Sequence, residues 1–180
     1  MTRRGVEWLT AAADNPAECQ QVWADDPRIP TLLSTGRLFD VVSVGQRLGM
    51  EMFDRFLHSA MPFGPTVVDR KAQKVGFFLG SGSRETFTCC LDRETTSLPP
   101  YRYLDQGSAV VVPGPTPLSD DRYQWLRAPM RRPEANPLRP VAMATAMVAS
   151  AELLARIDRF DELYRTPCAS ATVLHEEMDD

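Results

Sequence analysis

Histidine and paired cysteine are scarce in this chain of 180 amino acids. The only histidines are His58 and His175, and the four cysteines include no C-x-x-C pair. A zinc site needs about four Cys or His ligands at characteristic spacings, and a serine or cysteine nucleophile needs a base beside it. The sequence therefore disfavours both a zinc site and a Ser/His/Asp or Cys/His arrangement.

Other common signatures are absent as well. The chain contains no G-x-x-x-x-G-K or G-x-G-x-x-G phosphate-binding motif, and its longest apolar runs fall short of the ~20 residues that cross a membrane. Glu7 and Asp14 interrupt the N-terminal apolar stretch too early for a signal peptide. We therefore predict a cytoplasmic protein with no membrane partner and no cofactor. The net charge of -4 disfavours whole-molecule attraction to nucleic acid but leaves room for a local basic patch.

The length and composition indicate one globular domain. Hydrophobic residues make up 43% of the chain and charged residues 24%, which are ordinary values for a globular protein. We expect a single domain over residues 1–168, with N-terminal helices within 5–25, a core over 29–139 and a C-terminal helix over 141–164. Asn15 and Pro16 are typical start signals for a helix over residues 16–25. Residues 169–180 are acidic and are expected to form a disordered tail.

The stretch Gly36–Leu57 reads as a buried strand that leads into an amphipathic helix. Leu38–Val42 is almost wholly apolar and predicts the strand. Ser43 and Gln46 fit a capping box, which would end the strand and start the helix. Asp40 is the polar exception and could be a catalytic remnant, although an acid near a helix start more often bonds backbone N–H groups. The predicted inward face of this helix comprises Val44, Leu48, Met52, Phe53, Phe56 and Leu57.

The second half of the chain alternates strand-forming runs with turns. Strands are predicted over residues 66–68, 74–79, 86–91, 101–104, 109–112 and 123–126. Gly80–Ser83 would then join two strands, which makes it a poor anion site. These elements predict an α+β domain in which helices flank a mixed or antiparallel central sheet. The final helix is expected to bury Met143, Met147, Leu153, Leu154, Ile157 and Phe160.

The most basic stretch of the chain lies between residues 122 and 139. It holds five arginines and one acid, Glu134. Guanidinium groups match the geometry of phosphate and carboxylate oxygens, so the stretch could bind phosphate, but a solvated basic loop is the simpler explanation. The candidates for anion binding within it are Arg127, Arg131 and Arg132.

The order of these pieces resembles the N-terminal domain of bifunctional DNA primase/polymerases, the prim-pol branch of the archaeo-eukaryotic primase superfamily. The resemblance runs from about residue 23 to residue 139. Trp23–Arg28 (WADDPR) looks like the family's tryptophan-containing segment, and Leu38–Val42 like its acidic strand. Val110–Pro115 (VVVPGP) followed by Tyr123–Leu126 (YQWL) is similar to its strand, proline turn and Tyr-x-Trp element. The resemblance implies a primase/polymerase-like core.

Several residues depart from the family pattern. Active members carry an Asp-x-Asp pair on the first strand, a histidine on a later strand and a further acid, which together hold metals and the incoming nucleotide. Asp40 matches the first acid, but Val42 stands at the second position, and Lys74 stands near the histidine position. Arg102 replaces the further acid. Two-metal catalysis needs several carboxylates, so the sequence predicts a degenerate member in which Lys74 and Arg102 turn a cation site into an anion site.

The resemblance leaves three interpretations of the function. The first is a non-catalytic regulatory module that binds a protein partner or a phosphate-bearing ligand such as a nucleotide. The second is an enzyme, either a nucleotidyl transferase with a rearranged metal site or a catalyst of other small-molecule chemistry in the same cleft. The third is a sequence-independent nucleic-acid binder that uses the basic stretch, which the acidic net charge disfavours.

Overall fold

The computed structural model describes residues 1–133 and 135–165, so the predicted acidic tail lies outside the described residues. Its helices are α1 (Arg3–Thr10), α2 (Pro16–Asp25), α3 (Gln46–His58), α4 (Arg84–Glu94) and α5 (Leu138–Arg165). Its strands are β1 (Thr31–Ser34), β2 (Phe39–Gly45), β3 (Thr66–Asp69), β4 (Lys74–Gly80), β5 (Tyr101–Leu104), β6 (Ala109–Val112) and β7 (Tyr123–Arg127).

The centre of the fold is a βαββαβ unit formed by β2, α3, β3, β4, α4 and β5. These strands and β7 form a five-stranded sheet in the order β5-β2-β4-β3-β7, and β1 and β6 form a separate pair. Every described strand pair is antiparallel. The α+β class with helices flanking an antiparallel sheet is therefore confirmed.

The sheet separates two hydrophobic cores. On the helical face, Val42 and Val44 of β2 pack with α3, α4 and α5. On the second face, Phe39 and Val41 pack with α1, α2 and the β1–β6 pair. Because neighbouring residues of a strand point to opposite faces, Phe39 belongs to a different core from Val42, Val44 and the α3 residue Phe56.

Three local predictions are corrected by the structure. β2 continues through Ser43 to Gly45, and α3 begins without a side-chain cap, so the predicted capping box is absent. Val44 is therefore a buried strand residue, while Leu57 of α3 is 58% exposed. Residues 86–91 belong to helix α4 and not to a strand, because Phe87 and Leu91 lie one helical turn apart and are both buried. Gly80–Ser83 consequently joins a strand to a helix.

The long helix α5 is buried in its first half and exposed in its second. Met143 and Met147 are fully buried, as predicted. Leu153, Ile157 and Phe160 are at least 37% exposed, contrary to the prediction, because in its second half the helix contacts the domain with its other side only. By length and composition Leu138–Tyr164 could also cross a membrane, a property shared with core helices of soluble proteins.

Candidate functional site

A group of polar residues lies on the second face of the sheet, where β2 ends and α3 begins. We call Ser43, Gly45, Asp69, Lys74 and Arg102 the polar corner. The ladder places Lys74 opposite both Gly45 and Asp69, and Arg102 opposite Ser43. Directly opposed residues share a face, so these residues all lie on the face that carries Phe39 and Val41, beyond the part that the N-terminal elements cover.

Two cationic side chains flank β2 in the polar corner. Lys74 and Arg102 lie on the strands to either side of β2, two residues apart in register, which places their Cα atoms about 10–12 Å apart by sheet geometry. Both are exposed. Within residues 1–133 and 135–165, neither takes part in an ion pair. Their long side chains can therefore reach a common anion above Ser43 and Gly45.

The one carboxylate of the polar corner is already bound within the protein. Asp69 accepts two hydrogen bonds from Arg122, at 2.9 and 2.7 Å, and one of its oxygens also accepts the N–H groups of Lys71 and Ala72. The hydrogen bond from Arg122 is the main reason why the pKa of Asp69 is lowered. Asp69 thus holds the β3–β4 turn, and the positive charge of the corner comes from Lys74 and Arg102.

Asp40 lies elsewhere, on the other face of the sheet. Its partner across the ladder is Leu79, five residues along β4 from Lys74, so Asp40 and Lys74 are about 17 Å apart along the strands. The carboxylate is fully buried. Its Oδ2 accepts the N–H of Ser83 at 3.2 Å and the hydroxyl of Tyr103 at 2.9 Å.

Burial dominates the electrostatics around Asp40. Desolvation raises the pKa of its carboxyl group, and the bonds from Tyr103 and Ser83 offset this only in part. Desolvation and the hydrogen bond to Asp40 raise the pKa of the Tyr103 hydroxyl as well. Arg84, at the start of α4, stacks on the Tyr103 ring and pairs with Asp105. Asp40 therefore anchors the Gly80–Ser83 loop, the structural role that the sequence favoured, but beside α4 and not α3.

Arg122 of the basic stretch binds Asp69 at the polar corner, whereas Arg127, Arg131 and Arg132 lie at the far end of the sheet. β7 runs from Tyr123, opposite Asp69, to Arg127, opposite Thr66. Arg127 donates to the carbonyl of Phe63 and lies 4.1 Å above its ring. The structure thus divides the candidate anion-binding residues into two groups that lie at opposite ends of the sheet.

Arg131 and Arg132 line a cavity of about 510 Å³ beside α1. Arg132 also borders a cleft of about 410 Å³ next to the Gly80–Ser83 loop. The buried carboxylate of Asp40 underlies this loop and would oppose an anion bound there. The polar corner is consequently the better candidate for anion binding.

The residues of the polar corner do not fit a divalent metal. Calcium and magnesium need several oxygen ligands, whereas the corner offers one carboxylate, which Arg122 already holds and which lies opposite the cationic Lys74. Among the residues that the structure describes, no group of three His, Cys, Asp or Glu side chains could hold a metal ion.

Comparison with known protein families agrees with the architecture. The model of the family described as bifunctional DNA primase/polymerase, N-terminal (Prim-Pol), matches residues 2–142. The chain belongs to the Prim-Pol family. No curated protein and no solved structure gave a significant match.

Membership of the Prim-Pol family changes how two sequence positions are interpreted. Active family members carry two acids on the first strand and a histidine near the position of Lys74. If these three residues share one site, the acids must occupy the β2 positions opposite Lys74. In this Prim-Pol domain the residues at that end of β2 are Ser43 and Gly45, and Asp40 is too far away. Sequence reasoning interpreted Ser43 as a helix cap and missed Gly45, because it ended the strand at Val42. Large apolar residues alternate with small residues from Val42 to Gly45. This alternation is typical of a strand and would have indicated both positions.

Proposed function

We propose that this Prim-Pol domain does not catalyse polymerisation and serves as a regulatory module that binds a phosphate-bearing ligand at the polar corner. The observation that carries the proposal is the pairing of Lys74 with Gly45 and of Arg102 with Ser43. Positive charge flanks the end of β2, and neither Ser43 nor Gly45 carries a carboxylate.

The lack of catalysis follows from the requirements of phosphoryl transfer. Two metal ions about 3.5–4 Å apart stabilise the attacking and leaving oxygens, and several carboxylates hold them. Asp40 faces the other side of the sheet, and Asp69 is engaged by Arg122 and two backbone N–H groups. The family resemblance implies metal-dependent chemistry, and these side chains could not support it.

The choice of a phosphate ligand follows from three features of the corner. Lys74 supplies a compact ammonium group, and Arg102 supplies a planar fork that can donate two parallel hydrogen bonds to phosphate. Helix α3 begins at the same place, so the positive end of its dipole adds to the field. A Cβ at Gly45 would meet no atom within 4 Å, which leaves the backbone there open to a ligand.

A nucleic-acid backbone would satisfy the same groups as a free nucleotide. The polar corner offers two free cations, while Arg127, Arg131 and Arg132 lie at the other end of the sheet. The row of cations that could contact successive phosphates is therefore short, which favours a small ligand such as a nucleotide. Comparison of a nucleoside triphosphate with a single-stranded oligonucleotide of equal phosphate concentration distinguishes the two.

The test is equilibrium binding of a fluorescent nucleoside triphosphate, measured by anisotropy with magnesium or with EDTA. We expect the affinity to be unchanged by EDTA and to fall steeply between low and high salt, since exposed charges are screened over about 8 Å at physiological ionic strength. Loss of binding in EDTA would contradict the proposal and favour a rearranged metal site. No binding of triphosphate or oligonucleotide would leave the protein-partner interpretation as the better one.

A further inference from the structure

The second half of α5 carries a row of apolar side chains that the described part of the domain leaves exposed. Leu153, Ile157, Phe160 and Tyr164 are 37%, 41%, 59% and 74% exposed. The rings of Phe160 and Tyr164 lie 4.3 Å apart, so the row is continuous at its end. We call these four residues the α5 stripe.

The opposite side of the same helix holds it against the domain. Ala151, Leu154 and Ala155 face a groove formed with the start of α3 and with Pro99 and Pro100. Asp158 accepts two hydrogen bonds from Arg47 of α3, at 3.0 and 2.7 Å. The stripe is therefore not required for docking of α5, and its apolar character needs another explanation.

The spacing of the stripe is that of a coiled-coil seam. Its members follow one another at intervals of four, three and four residues, which places Leu153 and Phe160 at d and Ile157 and Tyr164 at a of the heptad. Such a seam buries its apolar residues against a second helix with the same repeat. A second copy of this chain provides one by symmetry.

The charges beside the stripe fit a parallel pair. Arg156 falls at g and Asp161 at the following e position. In a parallel two-stranded coiled coil, each g residue approaches the next e residue of the partner helix, so Arg156 of each copy would meet Asp161 of the other. An antiparallel pair would align g with g and e with e, and would lose both attractions.

We propose that two copies of this protein associate through a parallel pairing of their α5 stripes. The occupant of the exposed face is thus a second copy of the same helix. The pairing buries eight apolar side chains and joins two opposite charges on each side. Because the interface is about two heptads long, it forms a concentration-dependent dimer and not a permanent one.

The test is the mass of the full 180-residue chain in solution, measured by sedimentation equilibrium over a wide concentration range. We expect a reversible monomer–dimer equilibrium. Ile157→Ser/Phe160→Ser should raise the dissociation constant by more than about tenfold, which corresponds to ~1.4 kcal/mol. The matched control is Leu32→Ser, which removes an apolar side chain that is 63% exposed on β1 and should leave the equilibrium unchanged.

Charge reversal tests the orientation. Arg156→Glu and Asp161→Arg should each weaken the dimer several-fold at low salt, and the double reversal should restore it. Circular dichroism should show all variants folded, because these residues lie on the surface. A chain that stays monomeric at its highest soluble concentration, a dimer indifferent to the stripe variants, or a double reversal without rescue would overturn the proposal. A monomer that co-sediments with phosphatidylglycerol vesicles through the stripe would assign this face to a membrane.

Discussion

Tyr103 donates its hydroxyl proton to Asp40 across 2.9 Å, in a place where the carboxylate has no exposure to solvent. The same carboxylate oxygen accepts the N–H of Ser83. Asp40 thus connects the edge strand β5 and the start of α4 to the central strand β2. Asp40 was the candidate catalytic remnant in the sequence, and these contacts show that it stabilises the fold.

Removal of the Asp40 carboxylate should destabilise the domain. Asp40→Ala leaves the part-buried Ser83 N–H and Tyr103 hydroxyl without their acceptor, and should cost about 1–3 kcal/mol in all. Tyr103→Phe removes one bond and should cost about 1 kcal/mol. Urea unfolding measures both. If Asp40→Ala unfolds at the same midpoint as the parent, the anchoring role is wrong.

The effect of Asp40→Asn should depend on pH. Burial raises the pKa of Asp40 above its unfolded value of about 3.9, so the folded state binds more protons than the unfolded state between the two pKa values. Stability contributed by this group is therefore present at low pH and is lost as pH rises through that interval. Asparagine does not titrate, so the stability of Asp40→Asn relative to the parent should rise from about pH 4 upward and then level off. A relative stability that falls with rising pH would mean that the carboxylate is stabilised in its charged form.

The stability lost when α3 side chains are truncated should follow their burial and not the sequence pattern alone. Phe56 is 1% exposed and stacks on Phe63, so Phe56→Ala should cost about 3–5 kcal/mol. Phe53 is half-buried at the edge of the same core and should cost less. Leu57→Ala, at 58% exposure, is the matched control and should change stability by less than about 0.5 kcal/mol. Equal losses at Phe56 and Leu57 would mean that the helix face is misassigned.

The domain should not extend a primer or form a dinucleotide with Mg²⁺ or Mn²⁺. The end of β2 presents Ser43 and Gly45 between two cations, which cannot hold two divalent metals. A template-dependent incorporation assay measures the activity. Because Asp40 lies on the other face, incorporation that persists in a folded Asp40→Asn variant would indicate a metal site elsewhere in the chain. Incorporation that disappears in that variant would make the enzyme interpretation primary.

Much of the fold could be predicted because its signals are local. Asn15 and Pro16 mark the start of α2, and the runs Lys74–Leu79 and Ala109–Val112 form strands as expected. Residues 86–91 were misassigned because Thr86, Phe87 and Thr88 favour strands locally. Packing of α4 against α5 decides their conformation, and that contact joins residues far apart in the chain.

The location of the candidate site depends on the register between neighbouring strands, which the sequence indicates poorly. Ending β2 at Val42 made Ser43 a helix cap, left Gly45 unassigned and made Asp40 the acid nearest to α3. The antiparallel pairing of β2 with β4 places Gly45, and not Asp40, beside Lys74, because Asp40 pairs with Leu79. A shift along a strand changes which residues meet, and alternation decides on which face they meet. The replacement of acids by Lys74 and Arg102 was visible in the sequence, but their separation from Arg127 was not.

The central claim is that Lys74 and Arg102 bind phosphate together without a metal. The most direct measurement is titration calorimetry of a nucleoside triphosphate in EDTA, on the parent, on Lys74→Ala/Arg102→Ala and on Arg3→Ala/Arg93→Ala. The last variant is the matched control, because it removes two exposed positive charges outside the polar corner. We predict that the first double substitution weakens binding at least about tenfold, since each charged hydrogen bond contributes about 1.5–3 kcal/mol, and that the control changes it little. Equal affinity of the parent and Lys74→Ala/Arg102→Ala, or binding that requires a divalent metal, would contradict the claim.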